Sequence, residues 1–127
     1  MHKNKSVLLN YNTVMPYLVL QNAAGFIIFM QAVFSASETT KIYRDDDTIM
    51  HAQIMVDDSV IMLADSTKQF PAQPAGMFIY VDDADETYYK AIEKGATSIM
   101  EPADQSYGRS CGVKDPFGNT WWITSMP

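Results

Sequence analysis

The alternation of apolar and polar positions divides the chain into two halves with the same order of predicted elements. The first half predicts a strand at 14–21, a helix at 23–34, and strands at 37–43, 49–56 and 59–65. The second half predicts a strand at 76–82, a helix at 84–94, a loop at 101–108, and strands at 97–100, 109–114 and 120–124. A strand–helix–strand–strand–strand unit therefore occurs twice, about 60 residues apart, which indicates two copies that share one core.

Short-range signals support the ends of both helices and one hairpin. Asn22 and Asp83 are suitable N-cap residues, and Glu86 stands three positions after the second cap, as in a capping box. Gly95 suits the position that follows the second helix, because glycine adopts the left-handed conformation without strain. Asp57-Asp58 predicts a two-residue hairpin turn, since aspartate tolerates the same conformation better than most residues.

The most distinctive motif is a tight turn followed by an aromatic strand, with the sequence Lys114-Asp115-Pro116-Phe117-Gly118-Asn119-Thr120-Trp121-Trp122-Ile123. This motif resembles the last hairpin of the vicinal-oxygen-chelate superfamily, which includes glyoxalase, bleomycin-resistance and extradiol-dioxygenase relatives. The segments Met50-His51-Ala52-Gln53, Ser59-Val60-Ile61-Met62-Leu63-Ala64-Asp65 and Asp104-Gln105-Ser106-Tyr107-Gly108-Arg109 are similar to the PhnB-like branch of that superfamily.

The resemblance implies an α+β fold in which two βαβββ modules form a curled mixed sheet around a cleft, with the helices on the outside. On this basis residues 1–13 are an N-terminal extension and residues 14–127 form a single vicinal-oxygen-chelate domain, with modules at about 14–66 and 76–125. Members of the superfamily are often dimers, so the resemblance also implies a homodimer.

Composition narrows the range of partners and locations. A net charge of −6 repels phosphate backbones and anionic membranes, so nucleic acid and membrane partners are not expected. No apolar run approaches the roughly 20 residues of a membrane span, and the run Val7-Leu8-Leu9 is too short for a secretory signal. Cys111 is the single cysteine, which rules out an internal disulfide framework and predicts a buried thiol in a cytoplasmic protein.

Side-chain parity separates a cleft face from a core face in the hairpin around Asp57-Asp58. If two residues form the turn, Gln53 lies opposite Met62, and His51 shares their face. The other face is wholly apolar and is predicted to pack under the helices. Together with the resemblance, this parity gives the predicted ligand-binding cleft: Tyr17, His51, Gln53, Met62, Phe78, Tyr80, Tyr107, Arg109 and Trp122.

The resemblance also implies where a metal would be held, and these positions carry unsuitable residues. The superfamily's metal carboxylates align on Met62 and Trp122, and the other two ligand positions align on about Met15 and on Gly76 or Met77. Thioether sulfur is a poor ligand for a hard divalent ion, and indole and glycine offer no side-chain donor. No cofactor is therefore expected. A divalent metal is possible, but its usual ligand positions are not matched.

Two candidate residues leave alternatives open. His51 is the candidate catalytic residue, as a general base or a ligand-binding donor; alternatively a backbone carbonyl or Gln53 satisfies it. Arg109 either binds an anionic group of the ligand or is a solvated side chain on an exposed loop. Tyr107, in the same predicted loop, could close over a ligand.

The first predicted helix is apolar nearly all round, so its second stripe, Ala24, Ile28 and Ala32, is expected to be covered by residues 7–9 or by a second subunit. The function that these observations favour is binding of a small organic molecule in a metal-free cleft. The alternatives are a metal-dependent glyoxalase- or dioxygenase-like enzyme (a lyase, isomerase or oxidoreductase) of unknown substrate, and a partner-binding module with a degenerate cleft.

Overall fold

The structure is a computed structural model that describes residues 11–127. The first module contains β1 (Tyr17–Leu20), α1 (Ala23–Phe34), β2 (Ser37–Tyr43), β3 (Ile49–Val56) and β4 (Ser59–Asp65). The second contains β5 (Gly76–Tyr80), α2 (Ala84–Glu93), β6 (Thr97–Gln105), β7 (Gly108–Lys114) and β8 (Thr120–Ser125). The predicted repeat of βαβββ units is confirmed. The predicted tail segment 7–9 lies outside the described residues.

The strands form two four-stranded mixed sheets with equivalent topology. The first has the order β1-β4-β3-β2 and the second the order β5-β8-β7-β6, so each module contributes one sheet. In each sheet the first strand of the module pairs in parallel with the last, and the remaining pairs are antiparallel. The α+β fold is thus confirmed, with the difference that the eight strands make two open sheets.

Both helices begin, and α2 also ends, as their sequence signals predict. The Asn22 side chain accepts a hydrogen bond from the Gly25 amide at 3.0 Å, and Asp83 accepts one from the Glu86 amide at 3.1 Å. Gly95 has a φ of 106°, as expected after the end of α2. At the end of α1, Ser35 holds the left-handed conformation instead, with a φ of 56°.

One predicted loop is a strand. Residues 101–105 continue β6, and only Ser106 and Tyr107 form the turn into β7. The edge position of β6 explains the error, because an edge strand tolerates Pro102 and polar side chains that otherwise indicate a loop. The pairing with β7 shifts register twice between Ser98 and Ala103, which further disguises the alternation.

The core lies between the helices and the two sheets and joins the modules. Phe34 of α1 packs against Trp121 of β8 with ring centroids 4.9 Å apart. Phe26 and Phe29 of α1 both make edge-to-face contacts with Phe117 in the last turn. The first helix therefore uses its apolar circumference to bind the second module as well as its own sheet.

An aspartate at the end of β4 and another just before β8 organise these parts of the two modules. Asp65 accepts hydrogen bonds from the Ala23 amide at 2.8 Å and the Ile49 amide at 2.7 Å, which ties β4 to α1 and β3. Asp115 is 3% exposed and accepts hydrogen bonds from Phe117, Asn119 and the Trp121 indole. The distinctive turn of the sequence is thus organised around one carboxylate.

Cys111 is buried on the helix-facing side of β7, where its sulfur approaches the Ile123 carbonyl at 3.5 Å. Burial raises the pKa of this thiol to about 11. The predicted buried thiol is confirmed. Across residues 11–127, no helix has the length and apolar character needed to cross a membrane.

Candidate functional site

The first sheet presents a mixed polar and apolar face on the side away from α1. The register places Tyr17, Met62 and Gln53 side by side across β1, β4 and β3. The predicted pairing of the hairpin, with Val56 opposite Ser59, is confirmed. The apolar residues of the opposite face, Ala52, Ile54, Ile61 and Leu63, are all buried, as predicted.

Hydrogen bonds join four side chains on this polar face. The Tyr17 hydroxyl lies 3.2 Å from His51 Nδ1, and the Gln53 amide nitrogen lies 2.9 Å from His51 Nε2. The hydroxyl of Tyr11 donates a short hydrogen bond to the Gln53 amide oxygen. Because both ring nitrogens of His51 have partners, the ring is held in place, and the prediction that Gln53 satisfies it is confirmed.

The second sheet presents an aromatic face. Phe78 lies next to Trp122 in the register of β5 and β8, and its ring packs edge-to-face on Tyr80 with centroids 5.0 Å apart. All three side chains are partly exposed: Phe78 by 51%, Trp122 by 38% and Tyr80 by 55%. Gly112 lies opposite Trp122 on β7, and a Cβ atom there would approach Trp122 Cζ3 to 2.5 Å. The absent side chain lets the indole lie close against the sheet.

The two faces line different grooves. Phe78 and Tyr80 line a groove of about 520 Å³ whose other walls are Val14, Pro16 and the Asp57-Asp58 hairpin. Tyr17 lines a second groove of about 380 Å³ together with Met50 and Phe70. The structure therefore brings together the predicted residues within each module, and the single chain does not place all of them around one enclosed cavity.

Arg109 does not contribute to the aromatic face. Its guanidinium forms a two-pronged ion pair with Asp85 in the first turn of α2, at 2.9 and 3.0 Å, and a third contact with Asp104 at 3.3 Å. The hydrogen bonds from Arg109 hold the pKa of Asp85 below its usual value. Arg109 is therefore ion-paired within the protein and is not merely solvated, and its contact with an anionic ligand stays a prediction.

Tyr107 occupies the second position of the turn between β6 and β7 and is 51% exposed. The turn has only two residues, since β6 extends to Gln105 and β7 begins at Gly108. A tight turn of this kind has little freedom to close as a lid, so Tyr107 has a fixed place at the end of the second sheet.

The residues at the implied metal positions do not fit a divalent ion. Met62 stands between Tyr17 and Gln53, and Trp122 covers Gly112. Thioether and indole groups cannot replace the carboxylates that a hard ion requires. Within residues 11–127, no group of three or more His, Cys, Asp or Glu side chains is arranged to hold a metal ion.

Two contributors to these faces were not identified from the sequence. Tyr11 lies in the predicted N-terminal extension, and no local pattern links it to a strand 42 residues away. Gly112 could have been found, because strand parity and register place it opposite Trp122. The alternation of side chains along a strand is therefore enough to assign strand residues to a face of the sheet, but it cannot assign residues in the segment before β1.

Fold and sequence together define the family of the chain. The protein belongs to the Glyoxalase/Bleomycin resistance protein/Dioxygenase superfamily, whose family model matches residues 13–123. This membership confirms the resemblance that the terminal turn and the two βαβββ modules indicated.

Individual relatives extend this finding. The chain is 30% identical over 118 residues to the uncharacterized protein Mb0911c of Mycobacterium bovis, with 84% of this chain and 78% of that relative covered. It is similar in fold to a PhnB protein from Bacillus cereus, with a TM-score of 0.74, 16% identity, and 90% and 99% of the two chains covered. It is also similar to TnmS3, an antibiotic binding protein from Streptomyces sp. CB03234, with a TM-score of 0.71, 15% identity, and 92% and 100% covered.

Proposed function

We propose that the protein binds a small aromatic or amphipathic molecule in a metal-free cleft. The observation that carries this proposal is the set of three partly exposed aromatic rings on one sheet face, formed by Phe78, Tyr80 and Trp122. Exposed aromatic clusters on a concave surface are typical of ligand sites, since stacking on a flat ligand removes apolar area from water. TnmS3 shares the fold and is an antibiotic binding protein, which supports ligand binding as a use of this architecture.

The alternative function, a metal-dependent glyoxalase- or dioxygenase-like enzyme, needs donors that Met62 and Trp122 do not supply. It also needs a proton acceptor, and both ring nitrogens of His51 already have hydrogen-bond partners. A cytoplasmic location remains a prediction from the single cysteine, Cys111.

A thermal-shift titration tests the binding proposal. Fluorene, a flat and uncharged aromatic probe, should raise the melting temperature of EDTA-treated protein, because a ligand at ten times its Kd stabilises the folded state by about 1.4 kcal/mol. Trp122→Ala should weaken binding at least threefold, since one aromatic contact is lost. Tyr89→Ala removes a ring of comparable exposure, 62%, from α2 and is the matched control. A wild-type protein with no shift from fluorene or from other flat aromatics would contradict the proposal.

We further propose that the protein is a homodimer that covers the stripe of α1 formed by Ala24, Ile28 and Ala32. Ile28 is 66% exposed in the single chain, at the rim of a groove of about 530 Å³ that also contains Phe29 and Phe117. The alternative cover, residues 7–9, lies outside the residues that the structure describes.

Light scattering on purified protein tests the dimer. The wild type should have twice the mass of one chain, and Ile28→Glu should shift it toward the monomer because it places a charge in the interface. Tyr89→Glu adds the same charge to the other helix and should leave the dimer intact. A monomeric wild type, or an Ile28→Glu variant that remains dimeric, would contradict the proposed interface.

A further inference from the structure

The groove that contains Phe78 and Tyr80 also contains negative charge. Asp57 and Asp58, at the tip of the hairpin between β3 and β4, line the same groove of about 520 Å³ and are exposed. Among the described residues that line it, these two aspartates are the only ones with a formally charged side chain. A molecule that contacts the two rings therefore lies in a groove whose fixed charges are all carboxylates.

Neither carboxylate is neutralised by a cation of the described part of the chain. The ion pairs that residues 11–127 form all lie elsewhere and use the carboxylates of Glu38, Asp85 and Asp104. Asp58 accepts a hydrogen bond from the hydroxyl of Ser59 at 3.2 Å, which leaves its charge uncompensated. Since an ionised carboxylate has about four lone-pair sites, Asp57 and Asp58 keep the capacity to accept from a ligand.

A neighbouring groove, which Tyr80 also lines, strengthens this negative field. Its volume is about 570 Å³ and it also contains Asp57, so the two grooves meet at this aspartate and this ring. The charged side chains among the described residues that line it are Asp57, Asp82, Asp83, Glu86 and Lys90. With these four carboxylates against one ammonium, and a net charge of −6 for the chain, the region around Tyr80 attracts cations and repels anions.

The aromatic rings of the same groove attract positive charge as well. The face of an aromatic ring carries negative potential and binds an ammonium or guanidinium group within about 6 Å of the ring centroid. Within residues 11–127, the one cation that lies over a ring is Lys41, whose ammonium is 5.4 Å from the Tyr43 centroid on β2. The exposed rings of Phe78 and Tyr80 have no such partner in this part of the chain, so their faces are free for a ligand.

We propose that the ligand of the aromatic groove is a flat aromatic amine in its cationic form, and that Asp57 and Asp58 are the specificity-determining residues that select its charge. The ammonium group lies near the hairpin carboxylates, and the flat body contacts Phe78 and Tyr80. This inference rests on the proposed function, because it assumes that the groove binds an aromatic molecule, and it adds the charge by which that molecule is selected.

A matched pair of probes tests the selection of charge. 9-Aminofluorene and fluorene have the same flat skeleton, and the amine is protonated at about pH 6.5. Equilibrium dialysis measures both Kd values, and the selectivity ratio is the Kd of fluorene divided by that of 9-aminofluorene. This ratio should exceed one for the wild type at low salt. It should fall when the salt concentration rises to about 0.5 M, where the Debye length is roughly 4 Å.

Replacing Asp57 with asparagine removes one charge and keeps a residue that tolerates the left-handed conformation, which Asp57 adopts with a φ of 54°. The selectivity ratio should fall by about two- to fivefold, as for a partly exposed charge pair. Asp47→Asn is the matched control, because Asp47 is also exposed, has a φ of 67° and lines neither groove. It should leave the ratio unchanged.

Reversing the charge of the hairpin separates electrostatic selection from a structural role. Asp58→Lys should weaken the binding of 9-aminofluorene and strengthen that of fluorene-9-carboxylate, which carries the opposite charge on the same skeleton. If the hairpin only shaped the groove, the substitution would change the affinities for all three probes in the same direction.

The outcomes distinguish this inference from the function on which it rests. If none of the three probes binds the wild type, the proposed function fails and the inference with it. If fluorene and 9-aminofluorene both bind with a ratio near one, or with a ratio that Asp57→Asn leaves unchanged, the inference is overturned while aromatic binding stands. Tighter binding of fluorene-9-carboxylate than of 9-aminofluorene by the wild type would overturn it in the same way.

Discussion

Replacing Asp115 with asparagine removes one charge from the last turn and converts one acceptor oxygen into a donor. Asp115 Oδ1 accepts from the amides of Phe117 and Asn119 at 2.8 and 2.9 Å. Oδ2 accepts from Asn119 Nδ2 at 3.0 Å and from Trp121 Nε1 at 2.8 Å. Whichever oxygen becomes the amide nitrogen, two N–H groups of the turn then face another donor.

The expected cost follows from the hydrogen bonds that are lost. Leaving a buried donor unsatisfied costs about 1–3 kcal/mol, and bonds to a charged acceptor are at the upper end of the range for intact bonds. Two such losses that share one residue are not additive, so we expect Asp115→Asn to lower the free energy of unfolding by about 2–4 kcal/mol. That is a large fraction of the stability of a domain of this size.

Urea unfolding followed by tryptophan fluorescence measures this change, with the midpoint and the slope fitted separately. Asp58→Asn makes the same chemical change in the exposed turn of the first module and should leave the midpoint almost unchanged. A decrease of less than about 0.5 kcal/mol for Asp115→Asn would refute the claim that this carboxylate organises the turn.

Other features of the structure give four shorter predictions. Gly112→Ala should displace the Trp122 ring, because the new Cβ would lie 2.5 Å from it, and should weaken fluorene binding and shift the Trp122 emission. Ser35→Gly should raise the melting temperature modestly in a differential scanning experiment, since it relieves a left-handed serine with a φ of 56°. Arg109→Gln should leave probe affinity unchanged and should lower the melting temperature at neutral pH; this difference from the wild type should shrink as the pH falls from about 4, the usual pKa of an aspartate, through the lowered pKa of Asp85. Cys111 should resist Ellman's reagent at pH 8 in folded protein and react on unfolding, because its pKa is about 11.

The sequence was sufficient for the fold because its strongest signals are local. The bounds of α1, β2, β3 and β4 agree with the alternation and capping residues that predicted them. The length of β6 was underestimated because it is an edge strand. An edge strand pairs with a neighbouring strand on one side only, so its composition resembles that of a loop.

The candidate site was predictable only where strand parity applies. Gln53, Met62 and Trp122 occupy faces that alternation assigns, whereas Arg109 depends on whether an acidic residue of α2 lies within reach. Tyr11 depends on the path of the chain before β1, which no periodicity encodes. The positions of Arg109 and Tyr11 are thus set by contacts between distant segments of the chain, which the alternation of side chains along a strand does not predict.

Calorimetric titration of EDTA-treated wild-type protein with fluorene tests the central claim most directly. We expect saturable binding in the absence of metal, with a Kd that does not change when Zn²⁺, Ni²⁺ or Mn²⁺ is added. Binding that appears only after one of these ions is restored would contradict a metal-free cleft, and would show that the donor set around Met62 and Trp122 had been misjudged.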